Sequence, residues 1–165
     1  MVRLSRTYKN VAGGFFDDVL LSLRDGKMTP GEFEQMYRTL KENQRLKLWT
    51  VVYTHELDAE HWAPIQPFID VVNLWVWNAE DLVHLDRDLE RARSIFSGKI
   101  INLGCYLRDY PGHRGVPMHL LKLQWEKVVK YLGSGAISGY SILGATLIDD
   151  HLEQARWVRD FIAAN

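Results

Sequence analysis

Three carboxylates carry the strongest hint of chemistry in this sequence. Asp17 and Asp18 close the short apolar run VAGGFFDD, and Glu56 follows a second run, LKLWTVVYT, just after His55. A carboxylate at the end of a buried apolar strand costs free energy unless it is paired or put to use. Two such groups held about 5 Å apart, or about 6.5–9.5 Å apart, cleave glycosidic bonds with retention or inversion respectively. Neighbouring strand residues point to opposite faces, so one of Asp17 and Asp18 faces inward and the other does not. Asp18 is expected to be the inward one, in a row with Gly14 and Phe16. The plainer roles are a helix cap or ion-pair partner for the aspartates, and a solvated loop position for Glu56 beside Asp58 and Glu60.

Aromatic and polar residues end the later apolar runs. In VVNLWVW, Asn73, Trp75 and Trp77 share one face, leaving Leu74 and Val76 on the other. Trp75, the deeper indole, suits a core position. Trp77 suits a flat platform with one N–H donor, on which a sugar ring can stack. Asn78 follows it, as a second polar contact for a ligand and as a good helix cap. In KIINLGCYL, Asn102, Gly104 and Tyr106 share a face, and Cys105 lies opposite as a buried, inert thiol. Tyr106 and Asp109 have the groups to hydrogen-bond a polyol. The polar loop from Tyr110 to Gly115 lies next to them, as active-site loops often do.

Other chemistries find little support. The six histidines form no H-E-x-x-H pair, and the single cysteine rules out an internal disulfide or a multi-cysteine metal centre. Asp17, Asp18, Glu56 and Asp109 retain the option of a hard cation. No G-x-S-x-G elbow or G-x-G-x-x-G loop is present, so no nucleotide or other cofactor is expected. Gly144 after the fifth run is a weak pointer to a phosphate site. Lys47 and Lys99 stand at the starts of runs, the wrong end for a Schiff-base lysine.

The elements that must position these residues alternate. Apolar runs at 11–18, 46–54, 71–77, 99–107 and 136–144 are separated by segments of helical periodicity, the rhythm of βαβ units. Thr29-Pro30-Gly31-Glu32 is a capping box with proline at the first helical position. A helix follows, burying Phe33, Met36, Tyr37 and Leu40. Asn78 caps a helix from Ala79 to about Phe96, burying Leu82, Leu85, Leu89, Ala92 and Phe96. Pro117 opens a helix through Leu132, and Asp150 caps the last one, which buries Val158, Phe161 and Ile162. A shorter helix, broken by two prolines, is expected over 59–69. The fold class is α/β: a partial (β/α)8 TIM barrel of about five parallel βα units without antiparallel hairpins. The alternative is an open doubly wound parallel sheet. All 165 residues form one domain.

Composition bounds the partners. The chain is 47% hydrophobic and 25% charged with a net charge of -1, the balance of a soluble globular protein. No bulk field recruits nucleic acid or anionic lipid, and no apolar run is long enough to span a membrane. The opening MVRLSRTYKN is too polar for a signal peptide, which makes a cytoplasmic location the default expectation. Five barrel strands leave two open edges and an apolar inner face, so a homo-oligomer is expected to cover them.

The segments GGFFDD, LWTVVYTHEL, VVNLWVWNAEDL, INLGCYLRDY and GYSILGATLIDD, spanning most of residues 11–150, resemble the C-terminal part of glycoside-hydrolase-like TIM-barrel proteins. The D-x-x-D-x-D-x-E run of chitinase-like barrels is missing, so that mechanism does not carry over. The resemblance implies a barrel and a carbohydrate-like ligand. The reading is a carbohydrate-active domain with Asp18 or Asp17 and Glu56 as the acid–base or nucleophile pair, and Trp77, Tyr106 and Asp109 positioning the sugar. The alternative is a non-catalytic sugar-binding or structural half-barrel, or a fragment of a larger enzyme.

Overall fold

The computed structural model describes residues 2–143 and 145–165. Five strands form one parallel sheet: β1 (Gly13–Phe16), β2 (Lys47–Tyr53), β3 (Val71–Trp75), β4 (Ile100–Cys105) and β7 (Gly139–Ile142). Between β4 and β7 the chain makes a small antiparallel hairpin, β5 (Arg108–Asp109) and β6 (Arg114–Gly115), which the sequence reading had not expected. The helices are α1 (Val2–Thr7), α2 (Val19–Arg24), α3 (Pro30–Leu40), α4 (Ala59–Trp62), α5 (Leu85–Ile95), α6 (Met118–Gly133), α7 (Ala145–Asp150) and α8 (Leu152–Ala164).

The strands lie in the order β1-β2-β3-β4-β7. Crossovers between parallel strands are right-handed, so an order that never reverses sends every crossover to one side of the sheet. A doubly wound sheet reverses at a switch point, and none exists here. The result is an open, curved, half-barrel sheet with helices on its outer face.

The outer face carries Leu48, Thr50 and Val52, then Val72, Leu74 and Val76, then Ile101, Leu103 and Cys105, all buried. Against them pack Phe33 and Leu40 of α3, Leu85, Leu89 and Ala92 of α5, and Leu121, Trp125 and Val128 of α6. Several local signals act as the sequence indicates. Thr29 and Glu32 close a reciprocal capping box on α3. Leu82, Leu85, Leu89, Ala92 and Phe96 form one buried stripe. Its first turns, Ala79–His84, are a 3₁₀ helix that continues into α5. The last helix differs: Asp150 ends α7, His151 precedes α8, and Ile162 is exposed rather than buried.

At the β1 edge the inner residue Phe15 stays exposed, as expected of an open apolar inner face. Over β2, β3 and β4 the inner face is instead closed by its own side chains: Val51, Asn73, Trp75, Asn102 and Tyr106 are all buried. Curvature makes this possible. Ser141 Oγ on β7 donates to Asn73 Oδ1 on β3 at 3.0 Å, reaching past the intervening β4. In a flat sheet those two strands would stand about 9.5 Å apart. Gly104 supplies the room: a Cβ there would overlap the Trp75 indole, which crosses β4 at that point.

Gly104→Ala is expected to lower unfolding stability by about 1–3 kcal/mol, the usual cost of overpacking, measured by urea denaturation. An unchanged midpoint would mean that Trp75 does not need this crossing.

Candidate functional site

Strand register decides which carboxylate faces the concave side. Phe15 pairs with Trp49, and Tyr53 with Trp75, so Gly13, Phe15 and Asp17 continue the inner row. Phe16 points the other way and meets Phe33 of α3 edge-on at 5.9 Å. The expected inward row of Gly14, Phe16 and Asp18 is therefore reversed, and Asp17 is the inner carboxylate. Its Oδ1 accepts from the Tyr53 hydroxyl at 3.4 Å and from the Asp18 backbone N–H at 2.8 Å. Asp18 follows in the left-handed region, at φ 51° and ψ 38°, where the chain turns from β1 into α2. Aspartate tolerates that conformation better than most residues. Its side chain makes no capping bond to α2.

Glu56 ends a 3₁₀ turn, Thr54–Glu56, directly after β2. Its Oε2 accepts from Tyr53 N at 3.3 Å, and its backbone carbonyl accepts from Trp62 Nε1 at 2.8 Å. The side chain lines a cavity of about 480 Å³ with Leu20, Leu23, Arg24, His55 and His61. Burial raises the Glu56 carboxyl above its ordinary value, and the nearby charge of Asp18 raises it further. The Tyr53 N–H, His55 and Arg24 oppose that rise. Asp18 is raised as well, by burial and then by the charge of Asp17. The three carboxyl groups thus occupy one rim, at the C-terminal ends of β1 and β2.

An aromatic wall begins at Tyr53, the residue that donates to Asp17. Trp77 is 39% exposed, whereas Trp75, on the same face but deeper, is 3% exposed. Tyr106 packs on Trp75 at 4.4 Å between ring centres and meets Trp77 edge-on at 6.3 Å. Tyr53 meets Trp77 edge-on at 5.7 Å. Burial pushes the Tyr53 phenol up to about 12, with Asp17 and Asp18 adding to the rise. Tyr106 is raised too, chiefly by burial, with the adjacent Tyr53 and the charge of Asp17 contributing.

Two other expected site residues have structural positions. Asn78 caps the 3₁₀ helix that leads into α5, its Oδ1 accepting from Glu80 N at 3.3 Å. Asp109 is 3% exposed, with its Oδ2 taking a 3.3 Å bond from Arg114 Nε across the β5–β6 hairpin. The missing side chain of Gly112 leaves space for that carboxylate. Asp109 thereby braces the hairpin that sets Tyr110 flat against Trp77, at 4.7 Å and 15°. Cys105 is fully buried and its thiol is pushed well up by burial, which keeps it inert. Gly144 lies outside the described residues. Among those residues, no three His, Cys, Asp or Glu side chains group closely enough to hold a metal ion. Among them, too, no helix is long and apolar enough to cross a membrane.

Tyr53 and Arg24 are candidate site residues with no place in the sequence reading, although Tyr53 shares its parity with Trp49 and ends the run whose next residues include Glu56. Tyr110 is the first residue of the expected polar loop, and its contact with Trp77 depends on the hairpin.

Tyr53→Phe removes a donor from Asp17 and the polar neighbour of the buried Tyr106 hydroxyl. A stability loss of about 1–3 kcal/mol is expected in chemical denaturation, the cost of leaving a buried polar group unpaired. A neutral effect would show that Asp17 is held by other means. The chain matches no family model, no curated protein and no solved structure.

Proposed function

We propose that this chain is a carbohydrate-active, glycoside-hydrolase-like domain built as a partial (β/α)8 barrel. The observation that carries this reading is the rim itself. Asp17 accepts from the hydroxyl of Tyr53, whose ring meets the partly exposed Trp77 indole edge-on, and two neighbouring carboxyls, Asp18 and Glu56, have raised values. The consecutive parallel order and the placement of these residues at strand C-termini suit a barrel site. The resemblance in GGFFDD, LWTVVYTHEL and VVNLWVWNAEDL points the same way.

In this reading Glu56 is the general acid. Its carboxyl, raised by burial, gives its proton to the glycosidic oxygen as the bond to the anomeric carbon breaks. Asp17, an acceptor already oriented by two hydrogen bonds, faces the anomeric carbon as nucleophile or as base to a water. Water supplies the hydroxyl that completes the sugar, and its proton ends on a carboxylate. Asp18 sits next to both and supplies negative charge. Trp77, backed by Tyr110 stacked on one of its faces and by the buried Tyr106, offers its exposed part to the sugar ring.

A panel of aryl glycosides tests the proposal. Glu56→Gln and Asp17→Asn are expected to lower turnover by about 10²–10⁴-fold with circular dichroism unchanged, whereas Asp18→Asn costs less. The alkaline limb of the pH profile should lie above the ordinary glutamate value, since activity falls as Glu56 loses its proton. Asp18→Asn removes a charge that raises Glu56, so the limb should move to lower pH. Wild-type turnover in Glu56→Gln would overturn the assignment. Sugar binding without cleavage of any glycoside would favour the non-catalytic sugar-binding alternative.

A further inference from the structure

We propose that the open edge of β7, with the face of α7 and α8 beside it, is an interface between two copies of this chain. This inference is independent of the carbohydrate reading. β7 pairs with β4 on one side only, and among the described residues no strand or backbone hydrogen bond covers its other side. Such an edge is a template for pairing with another strand. The side chains beside it are apolar. Ile142, Ile148, Leu152 and Ile162 are each more than one-third exposed, and they line a groove of about 520 Å³ floored by Leu107 and Val158. A second groove of about 410 Å³ continues from Ile162 past Tyr140 to Leu132. A continuous apolar surface of this kind marks an interaction site.

Three observations point to a second copy as the occupant. First, the patch carries both signs of charge. Arg156 and Arg159 line the groove, and Asp149, Asp150 and Glu153 are exposed in the turn beside it. A two-fold axis matches such a patch to itself, and it also pairs the two β7 edges antiparallel. Second, the area fits. The molecule exposes 9287 Å². A compact monomer of this mass exposes about 8400 Å², an excess here of roughly 850 Å². One side of a standard interface buries about 800 Å². Third, the opposite edge has a helix beside it. Val2 and Arg3 of α1 line the groove beside β1, and Arg45 ties the α1 region down through the carbonyls of Ser5 and Lys9.

Light scattering on a size-exclusion column tests this with the full chain. The expected mass is twice 19.2 kDa. Leu152→Asp combined with Ile148→Asp should give a folded monomer, while Val83→Asp, exposed elsewhere, should leave the dimer intact. Hydrogen exchange at two protein concentrations keeps the test valid should the double variant unfold. Protection that is lost on dilution should map to residues 139–143 and to α8. A wild-type monomer at every concentration, or concentration-dependent protection at β1 instead, would overturn the proposal.

Discussion

The contact between Trp75 and the bare backbone of Gly104 sets the shape of the sheet. An indole that lies across the neighbouring strand draws β3 and β4 into a concave surface, and the Ser141–Asn73 hydrogen bond carries the curvature on to β7. Without that curvature the inner row of Val51, Asn73, Trp75 and Asn102 would face water. With it, the row becomes a second buried layer behind the helix-packed one. The same arrangement lifts Tyr106 over Trp75 and brings it against Trp77 and Tyr53. The mouth of the half-barrel is therefore built directly on its core.

The electrostatics of that mouth follow from where each strand stops. β1 ends at Phe16, so Asp17 is the next inner position and meets the Tyr53 hydroxyl from the adjacent strand. The chain then turns sharply through Asp18, which leaves two carboxyls side by side near a third. Like charges close together and partly removed from water favour protonation. The tyrosines limit how far the carboxylates can rearrange. The hairpin braced by Asp109 and Arg114 fixes the aromatic side.

Much of this was readable from the chain. The alternation Asn73, Trp75, Trp77 indicates the inner face of β3 because Leu74 and Val76 are plainly outward. The capping box at Thr29 and the stripe from Leu82 to Phe96 place two helices. GGFFDD was different. Its apolar residues fill both faces, so periodicity cannot choose between Asp17 and Asp18, and only pairing with β2 does so. The Asp109–Arg114 contact was not legible, because Arg114 lies across a two-residue ladder too short to leave a sequence pattern. The short helices α1 and α2 went unnoticed for a similar reason. At six residues each, they are held by tertiary contacts rather than by their own propensity.

The central claim is that the acidic rim and the aromatic wall form one sugar-binding mouth. The most direct measurement is a saccharide titration followed by NMR on the six tryptophan indole N–H signals. The account predicts saturable shifts at Trp77, smaller ones at Trp75 beneath it, and none at Trp62 or Trp125, which are buried among the outer helices. Shifts confined to Trp157, or no shift with any saccharide, would contradict it.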